Sequence, residues 1–583
     1  MRNQLSYLFL LLVITFQLKA QDEPFLNNET YTFDQAVNQY KTLAESYPNN
    51  SRYMEFGRSD YGKPVPLFLM SADASLDSSG IQSKNVLLIN NAIHPGEPCG
   101  VDACIFLAKQ WLKQNQIPKN LIIAIIPLYN VGGAHNRGCC SRANQNGPAE
   151  YGFRGNARNL DLNRDFIKAD SKNTHAFYEI FKWLKPIVFV DTHTSNGADY
   201  QHTMTLITSQ LDKMNPVLAH YTRNNLNPYL FDNMEKENYP MVPYVLTIKQ
   251  TPDDGIKDYL ETPRYSTGYT NMFNCVSYVT EAHMLKSYQD RVMSTYKFIV
   301  HLAKYLSKND KAIRDIRRMA NGFLDEQEYL PINWQLDTLS FDTIPFKGYE
   351  AKYLTSEVTG NDRLFYDREQ PWQKYIRYYN RYKVTDSVAV PYYYVIPQAW
   401  RNVVALLANQ PYMEIYTLNQ DTVMEVDGYY INDYATVGNP YEGHYLHSNI
   451  DVDRVTKPIA YTKGDFIVST KTLAKRFVVE TLEPHAPDSY FAWNYFDAIL
   501  QQKEWFSGYV FEDEAAEMLK NNKELKKTFE EKKKTDSDFA RSDFAQLYYL
   551  YKHSNHYERS ANFYPITRLN NRIDERMLTR VAR

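Results

Sequence analysis

Two continuous apolar runs, VLLIN at 86–90 and LIIAIIPL at 121–128, constrain this chain more than anything else in it. A run without polar alternation is what a strand covered on both faces requires, as in the interior of a parallel sheet. Between the two runs, Val101, Cys104, Ile105, Ala108, Trp111 and Leu112 recur at helical spacing. The stretch predicts a β-α-β unit. IVFVDTH (187–193), MTLIT (204–208) and VSYVTEA (276–282) predict further strands, with a helix over 176–184 before the first of them. Residues 25–325 are therefore expected to form one α/β domain, with a mixed, mostly parallel sheet flanked by helices.

Past residue 330 the texture changes. MEIYTL, VMEVDGYYI and DFIVST alternate with polar turns and predict a β-rich accessory domain over 330–475. From 476 to 583 helical patterns return, clearest in DSYFAWNYFDAILQQKEWF, whose aromatics read first as core packing. The mixed-sign run LKNNKELKKTFEEKKKTD reads as a solvated helix. With 583 residues, the chain is too long for a single core.

The N-terminus carries Arg2, an apolar run from Leu8 to Phe16 and Ala20 at a plausible cleavage point. That pattern predicts a cleavable signal peptide over 1–20 and a secreted or periplasmic protein. No cysteine lies near that point for a lipid anchor, and no later apolar run reaches the ~18 residues a membrane span needs. The formal net charge of −3 offers no basic excess for nucleic acid. Of the five cysteines, Cys139 and Cys140 are adjacent. Neighbours rarely bond each other, so no pairing is assigned. The absence of any C-x-x-C pair argues against a cysteine zinc site.

In a doubly wound sheet, ligands bind beyond the carboxyl ends of the strands. His94 and Glu97 follow VLLIN, His193 closes IVFVDTH, and Glu281 closes VSYVTEA. A lone histidine at a strand end is ordinarily a hydrogen-bonded core residue. Four polar residues at three strand ends can instead meet in one crevice. Two histidines and a carboxylate make an open zinc site, whose fourth position is left to water. A second signal is GFRGNARNLDLNRDF (152–166), with three arginines among short polar residues. It is either a surface loop laced with ion pairs or a set of anion clamps, since guanidinium forks suit carboxylates and developing oxyanions.

H-P-G-E, R-G-N-A-R-N-L-D-L-N-R-D-F, D-T-H and T-E-A-H, in this order, resemble the zinc metallocarboxypeptidases of the carboxypeptidase A and D type, over residues 25–310. The arrangement with a long downstream half resembles large secreted bacterial members. The resemblance implies one Zn2+ per chain held by His94, Glu97 and His193, and Glu281 as the general base acting on a water at the metal. It implies Arg154, ten residues before Arg164, as the oxyanion arginine. It implies Asn163 and Arg164 as the grip on a peptide's free C-terminal carboxylate, and Asp161 as the partner that orients His94.

Departures accompany it. Arg158 stands where relatives often carry a small or polar residue and is a competitor of Arg154 for the oxyanion role. For the family's mobile substrate-binding tyrosine, Tyr265 and Tyr269 are the candidates, with Tyr269 preferred. Arg264, His202 and His283 could face the crevice or serve structure alone. His444 and His447 have metal-like spacing but lie outside the α/β domain. The expected activity is removal of C-terminal residues from peptides. An amidase or deacylase, a peptidoglycan stem-peptide peptidase, and a non-catalytic binding protein are the alternatives. The preferred C-terminal side chain and the oligomeric state are not legible.

Overall fold

The structure is a computed structural model that describes residues 23–74 and 76–581. The predicted signal peptide lies outside the described residues. Among the described residues no helix is long and apolar enough to cross a membrane.

An eight-stranded sheet organises the first half. Its strands are β1 (Ser51–Phe56), β2 (Val65–Ser71), β3 (Asn85–Asn91), β4 (Leu121–Ile126), β5 (Val188–Ser195), β6 (Met204–Thr208), β7 (Met241–Pro243) and β8 (Val276–His283). They lie in the order β1-β2-β4-β3-β5-β8-β6-β7. The four central strands, β4, β3, β5 and β8, run parallel to one another. β2 and β6 add antiparallel neighbours on either side. Every residue of β3, β4 and β5 is buried, and the first two carry the apolar runs VLLIN and LIIAII that burial on both faces requires. The expected mixed, mostly parallel sheet is the one observed.

The predicted crossover helix is α1 (Cys99–Gln114), which joins β3 to β4 and packs against α2 (Tyr288–Lys308). A Cβ on Gly100 would lie 2.0 Å from Thr192 Oγ1 and 2.5 Å from Asn91 Oδ1. Glycine is thus what lets the first turn of α1 approach β3 and β5 so closely.

Downstream, a long hairpin of 342–355 and 362–379 lays its second strand parallel to the short strand 256–257 of the first half. A seven-stranded sheet follows, built from 393–396, 415–418, 422–436, 447–461 and 466–469, and completed by 567–569 and 578–580. The last two strands return after the helices of 508–552, and 567–569 sits between 393–396 and 422–436. Nothing in the local pattern announces that return. The segment 488–506, helical in pattern, forms turns and one short 3-10 turn at Asp497–Leu500. Tyr490, Phe491, Trp493 and Phe496 are all fully buried there, and Asn494 sits at φ +53°. Aromatics pointing inward on every side do not fit the single buried stripe of a helix. The mixed-sign run does form a helix, Lys523–Thr535.

One buried cluster runs from Tyr31 to Ile566 and so passes through both halves, while the helices of 508–552 hold a small core of their own. Cys139 and Cys140 are bonded to each other, in an exposed loop with Cys140 at φ +78°. The turn there supplies the backbone conformation that a regular element would refuse to adjacent cysteines. Cys99, Cys104 and Cys275 are buried free thiols.

Candidate active site

The carboxyl ends of β3, β5 and β8 open into one cavity of about 610 Å³. Beyond β3 the buried Ala92 takes φ +54°, a left-handed conformation that turns the chain out of the sheet. The Glu97 N–H then donates to the His94 carbonyl at 2.8 Å, and the turn over Pro95-Gly96 brings both side chains to the same place. His193 lies inside β5 and pairs in register with Glu281 of β8.

His94, Glu97 and His193 each offer a ligand atom, and these atoms lie within 4.8 Å of one another. The two imidazoles stand 4.9 Å apart, edge to face. Each turns its Nδ1 to Glu97, His94 at 3.3 Å and His193 at 3.0 Å. Their far nitrogens face aspartates. His94 Nε2 is 2.9 Å from Asp161 Oδ1, and His193 Nε2 is 3.3 Å from Asp191 Oδ2. His94 Nδ1 is buried without a hydrogen-bond partner. An orphaned imidazole nitrogen converging with a second imidazole and a carboxylate is the donor set of an open zinc site. Carboxylates on the remote nitrogens are what fix ligating histidines. The residues therefore fit the metal that the sequence implies.

Burial raises the Glu97 carboxyl, but Arg142, His94 and His193 outweigh that and hold it well below the usual range. Burial drives Glu281 the other way, upward, with Glu97 and Asp191 adding to the rise against the pull of His193. Two carboxylates in one cavity are thus set apart, one anionic and one able to keep a proton.

The loop read as an anion clamp does sit at the cavity. Arg154 donates through Nε to Asp161 Oδ2 at 3.0 Å, and its Nη1 is 3.7 Å from Glu97. Asp161 also accepts the Asn163 N–H at 2.9 Å. Asn163 Oδ1 accepts the Ser266 N–H at 3.0 Å, and Arg164 lies 4.5 Å over the ring of Tyr265. Asn163, Arg164 and Arg154 all line the cavity with Glu281.

Other candidates fall elsewhere. Arg158 is exposed, donates to the Asp170 carbonyl and does not line the cavity, whereas Arg154 does. Tyr269 does not line the cavity either: it is wholly buried, donates to Gln410 at 2.6 Å and packs on Phe273 and Phe477. Its helix, Ser266–Asn271, turns it into the core, whereas Tyr265 and Tyr259 reach the cavity. Arg264 is taken by Asp488 at 2.7 Å. His202 bonds the Pro240 carbonyl and the Lys347 N–H, and His283 the Ala198 carbonyl. His444 and His447 pair separately with Asp170 and Asp497. Two residues that sequence reasoning passed over are Arg142, whose guanidinium bonds Glu97, and Tyr244, both on the cavity wall. Neither stands in a motif; only the folded loops bring them in.

Residues 37–182 match the family model described as zinc carboxypeptidase, and the resemblance read from the sequence holds there. Among solved structures, a metallo-carboxypeptidase from Burkholderia cenocepacia is 14% identical, with 49% of this chain and 69% of that one covered and a TM-score of 0.34. A metallo-carboxypeptidase from Pseudomonas aeruginosa, in complex with (2-guanidinoethylmercapto)succinic acid, is 13% identical over 49% and 70%, at 0.35. Carboxypeptidase A from Helicoverpa armigera is 12% identical over 51% and 81%, at 0.36. No curated protein matches significantly.

Proposed function

We propose that this chain is an exported zinc metallocarboxypeptidase that removes C-terminal residues from peptides. The observation that carries the reading is the meeting of His94, Glu97 and His193 beside Glu281, on the same cavity as Arg154, Asn163 and Arg164. Bound at the His-Glu-His cluster, zinc would supply Lewis-acid polarisation and a lowered water pKa. Asn163 and Arg164 hold the terminal carboxylate, so that cleavage is counted from the chain end. Glu281 takes a proton from the attacking water and passes it to the leaving amine nitrogen as the C–N bond breaks. Arg154 stabilises the negative charge that develops on the scissile oxygen. Asp161 and Asp191 keep the histidine rings in place. Export rests on the pattern of residues 1–20 and accords with a disulfide in the chain.

Metal analysis coupled to a peptide-release assay tests the proposal. Wild type should bind about one zinc per chain and cleave peptides with a free C-terminus but not their amides. Glu281→Gln should keep its zinc and lose turnover by at least about 100-fold. Equal loss of zinc and turnover would remove Glu281 from the role of base. Cleavage of amides as fast as free acids would favour an amidase, and a metal-free, inert protein a binding function.

A further inference from the structure

The clamp loop is held from the far half of the chain. Arg164 Nε donates to the hydroxyl of Tyr441 at 3.1 Å, opposite the Tyr265 ring that carries its face. The next residue, Glu442, accepts the backbone N–H of Asp161 at 2.7 Å. Two positions on, His444 Nε2 meets Asp170 at 2.8 Å, and the Tyr495 hydroxyl donates to the Lys168 carbonyl at 2.6 Å. Tyr441 is set in turn by Trp493, 6.2 Å away and stacked, and by Arg264, whose guanidinium lies 5.6 Å from the Tyr441 ring and is anchored on Asp488. Each of these hydrogen bonds joins residues 161–170 or 264 to residues 441–495. The loop 161–164 itself contains one short 3-10 turn, Leu162–Arg164, and has no regular element to fix it from within.

We propose that the segment 439–447 is a positioning element of the site: Tyr441 aims the Arg164 guanidinium at the substrate carboxylate, and Glu442 fixes the backbone of Asp161 behind His94. The inference rests on the carboxypeptidase reading of Asn163 and Arg164. Without Tyr441, Arg164 keeps its charge and its stacking but gains freedom to swing about its long stem, so each carboxylate it binds must order it first. Glu442 acts on a different partner, since Asp161 holds a ligand of the proposed metal. The distal half is in this respect part of the active centre rather than an appendage.

The test compares wild type with Tyr441→Phe, which removes one oxygen from a half-buried ring, and with Glu442→Ala and Glu442→Gln. The probe is an N-acyl dipeptide ending in phenylalanine, with its C-terminal amide as control. Tyr441→Phe should raise KM for the free acid about 10-fold, the equivalent of one hydrogen bond, with kcat within about 2-fold and zinc affinity unchanged. In a Glu281→Gln background, calorimetric Kd for the acid should rise by the same factor and that for the amide should not move. Glu442→Ala, which loosens Asp161 without removing its carboxylate from His94, should weaken zinc by about 3–10-fold, less than loss of the Asp161 carboxylate itself, and Glu442→Gln, whose amide oxygen still accepts the N–H, should restore most of it. An unchanged KM and Kd in Tyr441→Phe, with wild type discriminating acid from amide, would overturn the inference alone. Wild type binding acid and amide equally would sink the clamp reading and the inference with it.

Discussion

Replacing Asp161 by asparagine changes almost no volume and tests the logic of the site at one atom. Asp161 Oδ1 faces His94 Nε2 at 2.9 Å and the Asn163 N–H at 2.9 Å, while Oδ2 takes Arg154 Nε at 3.0 Å and Nη2 at 2.8 Å. All four partners can be donors only to a carboxylate, which has acceptors on both sides. An asparagine must point its amide hydrogens at one side. Aimed at Arg154, they meet a guanidinium, donor against donor. Aimed at His94, they favour an imidazole that carries its proton on Nδ1, the nitrogen that faces Glu97 and would bind the metal. Either way a buried charge-assisted contact is lost, at about 1.5–3 kcal/mol. Zinc affinity should fall about 10–100-fold, or about 1.4–2.8 kcal/mol. Competition against a chromophoric chelator reads the affinity, and a urea melt of the metal-free protein reads the fold. A second signature follows from titration. Burial raises the Asp161 carboxyl, but His94, Arg154 and Arg164 together hold it well below the usual range. A depressed carboxyl contributes stability above the unfolded value of about 3.9 and loses it as pH falls below that, so the asparagine variant should lose less stability on acidification. Zinc affinity within about twofold of wild type, in a variant that melts lower, would refute the argument and leave Asp161 as a mere partner of Arg154.

Three further outcomes are expected. Arg154→Gln should lower kcat about 100-fold with little change in KM, as loss of an oxyanion donor does; steady-state kinetics on a C-terminally free peptide decide it. Burial raises the Asp102 carboxyl to about 7 despite the hydroxyls of Thr30 and Tyr288, each donating at 2.5 Å. The folded state therefore keeps that proton longer than the unfolded chain. Stability should fall as pH rises from about 4 to about 7, by up to about 4 kcal/mol at ~1.4 kcal/mol per pH unit, and Asp102→Asn should flatten the fall in urea midpoints measured at pH 5 and 8. Gly100→Ala should destabilise by about 1–3 kcal/mol by overpacking, because Thr192 and Asn91, which hydrogen-bond to each other at 2.8 Å, occupy the space a methyl would need; a urea midpoint equal to that of wild type would show that the strands yield freely.

What the amino-acid order determined by itself was local and periodic. The apolar runs of β3 and β4, with the helical stripe between them, specify a parallel β-α-β unit, since only strands buried on both faces lack alternation. Such a sheet opens at its carboxyl ends, which made His94, Glu97, His193 and Glu281 legible as one group before any contact was known. Tertiary structure decided everything that depends on which surface meets which. Tyr265 and Tyr269 are four residues apart with the same chemistry, and only the direction of a short helix sends one to the cavity and the other into the core. The strand 567–569 is three residues long, too short to carry a pattern, and gains its place from partners over a hundred residues away. Tyr441 and Glu442 stand in a turn that reads as ordinary, because a hydrogen bond to Arg164 or Asp161 leaves no trace in spacing or hydropathy. Local propensity and burial periodicity are written along the chain; the pairing of distant polar atoms is fixed by packing alone.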